Sequence, residues 1–259
     1  MISDFLWFLT QCLTLGLASQ ARSLVVAIIV GAVLAVASWT VCGYYTKLWN
    51  LRYSMGAAHR ILRATTALLT FVFTIAYFSV GYMPQVAVVE LDRWKDHLQA
   101  DGSFAANAFE TSYLVVKDLH PQQMARMPAP VRNEDGTLRK VTWPDDACEV
   151  DAARSFASQS TDNFRSAHPF LAKIAPPITP NEQVYEDSRR FWQENPGGFY
   201  PIQRAIEIAG AEIWKSLEPK LPATARRTRI ILVGSFLAAQ MIPFSLIGYG
   251  AYKDLKVSV

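Results

Sequence analysis

Ile230–Tyr252 reads IILVGSFLAAQMIPFSLIGYGAY, 23 residues without a single Asp, Glu, Lys, Arg or His. Two further runs share that property: Ser23–Thr46, with 24 residues, and Ala64–Val89, with 26. A helix rises about 1.5 Å per residue, so about 20 apolar residues cross a hydrocarbon core about 30 Å thick. Each run clears that length. The chain therefore reads as an all-α membrane protein with three transmembrane helices and a mainly helical soluble insert between the second and third.

The chain divides accordingly. Residues 1–21 form an N-terminal amphipathic or short membrane helix, 22–46 the first span, and 47–63 a short basic connector. Residues 64–89 form the second span, 90–225 the soluble domain, 226–252 the third span and 253–259 a tail. Thr10, Gln11 and Thr14 fall on one side of the first segment, with Leu6, Leu9, Leu13 and Leu17 opposite. That pattern predicts a helix lying in the interface, with a short fourth span as the alternative.

Charge is unevenly placed along the 259 residues, whose overall balance is +3. Between Pro84 and Ala225 the sequence carries 15 Lys+Arg and 20 Asp+Glu; the remainder carries 10 and 2. Basic groups thus crowd next to the spans, where anionic lipid headgroups lie, and the acidic insert argues against a nucleic-acid partner. Arg226, Arg227 and Arg229 precede the third span, and Trp49 and Arg52 stand beside the first; all five read as headgroup anchors. The short connector holds Lys47, Arg52, Arg60 and Arg63, and short basic loops stay cytoplasmic, so the insert is expected on the extracytoplasmic side of a bacterial inner membrane.

Within the spans, small and polar residues suggest how the helices meet. Ala27, Gly31 and Ala35 repeat every fourth position, a face that lets a neighbouring helix come close. Thr66, Thr70 and Thr74 make a stripe on the second span. Gln240, the most polar mid-span residue, is placed to bond across to Thr70 or Thr74, and Pro243 behind it predicts a kink.

In the insert, Ser103 is read as the cap of a helix running to about Leu119. Asp135-Gly136 suggests a weak hairpin, and Asp145 and Asp146 open a helix through Phe164. Thr179-Pro180-Asn181-Glu182 has the form of a capping box, and that helix stops at Asn195-Pro196-Gly197-Gly198. Ile202, Ala205, Ile206, Ala209, Ile213, Trp214 and Leu217 form the best amphipathic stripe.

Chemical signatures are sparse. Asp145, Asp146, Glu149 and Asp151 cluster, but acids at a helix start suit the helix dipole and the order of a calcium loop is missing. The four histidines are scattered, and Cys148 has no CxxC partner but offers a handle for labelling the insert. No cofactor or metal is expected. The expected function is a non-enzymatic membrane subunit whose insert docks other membrane or envelope proteins, as in a secretion or conjugation assembly, within an oligomer or complex. Trp94, Trp143, Trp192, Phe199, Tyr200 and Trp214 read first as ordinary core residues and, as the alternative, as aromatic contacts for that docking. An oligomeric channel or membrane-perturbing effector, with Gln240 and the threonines facing a lumen, is the alternative.

Overall fold

The computed structural model describes residues 2–19, 21–125, 143–175, 181–195 and 201–257. Every described element is helical, and three helices are long and apolar enough to cross a membrane. This is an all-helical protein with the character of an integral membrane protein. Its chain forms two compact units: one comprises Phe5–Val86 with Pro222–Val259, the other Met1–Asp4 with Ala87–Leu221. The Asp135-Gly136 hairpin, the 179–182 capping box and the 196–198 stop lie wholly or partly outside the described residues.

The apolar unit contains most of α1 (Ile2–Ser19), then α2 (Ala21–Trp49) and α3 (Ala57–Ser79), followed by a 3-10 turn at Val80–Tyr82 and the start of α4 (Met83–Ala100). It is completed by α11 (Leu221–Val257), of which all but the first residue belongs here. Aliphatic side chains such as Val33, Val36, Ile231 and Met241 point outward. Such a surface would be a liability in water, whereas in hydrocarbon it costs nothing while the helices satisfy their own backbone groups. Where α2 stops, Lys47 Nζ donates to the carbonyl oxygens of Leu51 (3.0 Å) and Tyr53 (3.2 Å), a cation satisfying carbonyls past a helix C-terminus. Asn50 Nδ2 donates to Asp254 Oδ2 at 3.3 Å and ties the connector to the end of α11. Pro243 lies inside α11, which continues past it to Val257.

The polar unit holds the remainder of α4, α5 (Gly102–Leu119), α6 (Pro121–Met124), α7 (Asp146–Ala167), α8 (Pro169–Ile174), α9 (Asn181–Glu194) and α10 (Ile202–Leu217). Its centre is α7, which packs against α5, α8, α9 and α10. A helix covered on several sides needs small residues so that neighbours can approach, and α7 buries Ala152, Ala153, Ala157, Ser160 and Thr161 beside the larger Phe156 and Phe164. Ser160 and Thr161 return their hydroxyl protons to the carbonyls of Phe156 and Ala157, so neither is left unpaired. On α10, Ala205, Ile206, Ala209, Ile213 and Leu217 are buried, while Trp214 sits half-buried at the edge of the stripe.

One expectation is corrected here, and one choice between two readings is decided. The cap of α5 is Asp101 rather than Ser103: its carboxylate accepts from the backbone N–H of Ser103 (2.9 Å) and Phe104 (3.2 Å) and from the Ser103 hydroxyl (2.7 Å). A carboxylate meets the unpaired N–H groups and the positive helix end together, so it outcompetes the neighbouring hydroxyl. Trp94 and Trp143 are core residues and offer no contact surface, at 4% and 8% exposure. The Trp94 indole donates to Asn163 Oδ1 at 3.0 Å and meets the Phe164 ring edge-on, so its polar end is paired inside the unit.

Candidate functional site

Two clusters stand out, one in each unit. In the polar unit, α7 and α9 border an open groove of about 610 Å³ lined by Asp146, Ala147, Val150, Asp151, Arg154, Tyr185, Arg189, Trp192 and Gln193. Helical spacing explains the arrangement. Asp146, Val150 and Arg154 recur every fourth residue along α7, as Tyr185 and Arg189 do on α9, with Trp192 one turn further.

Arg154 organises this groove. Its guanidinium lies 4.2 Å from the centre of the Tyr185 ring, and its Nη1 donates to Asp151 Oδ1 at 3.2 Å. The second Asp151 oxygen meets His120 Nε2 at 2.8 Å, which joins α7 to the end of α5. Arg154 Nε is buried with no acceptor among the described residues. Arg189 is exposed on the rim. The groove therefore combines aromatic surface with two guanidinium groups and two carboxylates, the exposed Asp146 and Asp151, the latter engaged on both oxygens.

The four clustered acids have separate duties. Asp145 caps α7 by accepting from the backbone N–H of Cys148 at 2.8 Å, and contacts from Cys148 hold its carboxyl below the usual range. Asp146 and Glu149 occupy the first turn of α7, and Asp151 takes the His120 and Arg154 contacts. No group of three or more metal-ligating side chains occurs among the described residues. His168 lies against the Phe164 ring, and burial pulls its pKa below the ordinary histidine value, opposed in part by Glu90.

Cys148 is fully buried, in a cluster with Tyr113, Val116, Met124, Trp143 and Ala152. Burial first, then contact with the Asp145 carboxylate, pushes its thiol up to about 12. As thiolate is the reactive form, native protein at pH 7.5 should resist an impermeant maleimide and react within minutes once denatured. Rapid labelling of the native chain located at Cys148 rather than Cys12 or Cys42, read by peptide mass, would contradict this burial. The expected use of Cys148 as an orientation probe is thereby withdrawn; an exposed position such as Gln193 suits that purpose.

In the apolar unit, the threonine stripe and Gln240 come together. Thr66, Thr70 and Thr74 each return a hydroxyl proton to a carbonyl of their own helix, at 2.7 to 2.8 Å. Gln240 Nε2 donates to the Thr66 carbonyl oxygen at 2.9 Å and to Thr70 Oγ1 at 3.1 Å, while its Oε1 is buried without a donor among the described residues. Gly31 faces the Phe71 ring, Ala27 is buried and Ala35 is partly so. Tyr45 meets Phe244, and Trp49 meets Tyr252, so α2 touches α11 at the connector end. Arg52 is exposed, its backbone N–H donating to Asn50 Oδ1 at 3.0 Å. Arg226 and Arg227 are exposed, and Arg229 reaches across to α3.

Between the three helices lies a second groove of about 660 Å³. Val30, Leu34, Ala37, Ser38 and Val41 of α2 form one wall, and Leu232, Val233, Phe236, Leu237, Gln240 and Phe244 of α11 form the other. Thr70, Phe73, Thr74, Tyr77 and Phe78 of α3 complete the lining.

Sequence reasoning missed Arg154 and the His120–Asp151 contact, because partners 31 positions apart leave no local spacing to read. Neither a protein-family model, nor a curated protein, nor a solved structure matches this chain.

Proposed function

We propose that the protein is a non-enzymatic membrane subunit that docks a partner protein through the α7–α9 groove, as part of an envelope-type membrane assembly. The observation that carries this reading is the pairing of Tyr185 and Trp192 with Arg154 and Arg189 along one open groove. Tyrosine, tryptophan and arginine are the residues that dominate protein interfaces, because each combines large contact area with a directional polar group. The exposed Arg189 beside Trp192 favours a partner segment that brings a carboxylate together with an apolar side chain. Extracytoplasmic placement in a bacterial inner membrane belongs to the same proposal and rests on the basic connector.

Photo-crosslinking in native membranes tests the reading. A photoreactive residue at Gln193, in the groove, should give a discrete protein adduct, whereas one at the exposed Lys215 of α10 should not. Trp192→Ala and the surface change Arg189→Glu should each lower the adduct yield, the former about ten-fold. Equal labelling from both positions, or adducts indifferent to both substitutions, would refute docking at this groove. The Gln240 amide bonded within the bundle supports a packing role over a lumen-facing one. Dye leakage or conductance in liposomes that disappears with Gln240→Leu would move the assignment to a channel.

A further inference from the structure

We propose that the groove between α2, α3 and α11 holds an acyl chain of one anionic phospholipid, whose phosphate is bound by Arg229. The groove is a second candidate site, independent of the docking reading. Its wall is almost entirely aliphatic and aromatic, and its one amide, on Gln240, spends its N–H groups on Thr66 and Thr70. An apolar chain can thus enter without stripping hydrogen bonds from the wall.

Size and charge select the occupant. A membrane-crossing helix, 10–12 Å across and spanning about 30 Å, fills on the order of 2,500 Å³, several times what the groove offers. Flexible hydrocarbon fits the smaller space. At one end the guanidinium of Arg229 lies 5.2 Å from the ring centre of Tyr77, itself part of the wall, and its Nε donates to the Tyr77 carbonyl oxygen at 3.4 Å. Gly81 permits this approach, since a Cβ there would stand 2.8 Å from Nη2. No carboxylate pairs with Arg229, Arg226 or Arg227 among the described residues, so three cationic groups cluster in sequence where the charge-free stretch of α11 begins. A cation held at the mouth of an apolar slot, where the charge-free stretch of α11 begins, complements a phosphate joined to an acyl chain.

Native mass spectrometry of the full chain in non-ionic detergent tests this with two lipids of identical chains, phosphatidylglycerol and phosphatidylcholine. Phosphatidylglycerol should be retained about five-fold better, with one molecule bound per chain. Arg229→Gln should erase the preference, and Arg229→Lys, which keeps the charge, should retain most of it. Leu34→Trp, filling the groove from the α2 wall, should reduce retention of both lipids. Excess inorganic phosphate should not displace the lipid if the chain contributes to binding. Equal retention of the two lipids, an undiminished preference in Arg229→Gln, or displacement by phosphate alone would overturn the assignment. A dimer that Leu34→Trp disrupts while lipid retention is unchanged would instead assign the groove to a second copy.

Discussion

Phe164→Ala is expected to destabilise the Ala87–Leu221 unit by about 3–5 kcal/mol, the range for emptying a large buried aromatic site. Phe164 is 1% exposed, on the central helix α7, and its ring meets Trp94 edge-on at 5.3 Å and His168 at 5.2 Å between centroids. Removing it leaves a void bordered by two rings that cannot move easily, because the Trp94 indole is held by Asn163 and α7 is packed by helices on several sides. A domain whose whole stability is about 5–15 kcal/mol feels such a loss strongly. Near-ultraviolet circular dichroism of the full chain in detergent, followed during denaturation, would report it through the Trp94 environment. Phe164→Leu should cost clearly less, since it refills part of the volume. A midpoint for Phe164→Ala within experimental error of the parent would show that this ring is not part of the core.

Gly31→Leu should separate α2 from α3. A Cβ built on Gly31 already lies 3.2 Å from Phe71 Cδ2 and 3.6 Å from the Phe71 carbonyl oxygen, so three further carbons have no space. The Cβ itself stands at ordinary contact distance from that carbonyl, so it is the carbons beyond it that must displace the Phe71 ring or the helices themselves. Overpacking of this kind costs about 1–3 kcal/mol. Gly234 on α11 supplies the control, because a Cβ there meets nothing within 4 Å. Thermal unfolding in detergent should therefore drop for Gly31→Leu and stay near the parent for Gly234→Leu. If the two variants behaved alike, close approach at Gly31 would have no energetic weight.

These two sites differ in how much of them can be read without coordinates. Every-fourth-residue spacing marks Ala27, Gly31 and Ala35 as a face, but only the fold names Phe71 as what lies opposite Gly31. The stripe on α10 is legible in the same way, since burial of one helix side imposes a period of 3.6 residues on the sequence. Trp94 illustrates the opposite case. A tryptophan is equally suited to a core and to an interface, and the Asn163 partner that decides the matter lies 69 residues away. The α7–α9 groove was invisible for that reason: acids near 145–151 stand out in the sequence, whereas the Arg154–Tyr185 stack and the His120–Asp151 contact join separate helices.

By itself, the sequence determined that three stretches are long and apolar enough to cross a membrane and that the chain is helical throughout those stretches. Charge avoidance is a property of each stretch alone, and a lone segment in lipid must bond its own backbone. Tertiary structure alone decided that Arg229 faces Tyr77, that Arg154 stacks on Tyr185, that His120 meets Asp151, and that the Gln240 amide, expected near Thr70 or Thr74, also takes the Thr66 carbonyl. Those pairings depend on the rotation and crossing of whole helices. Such quantities arise from the summed packing of many side chains, and no short window of sequence contains them.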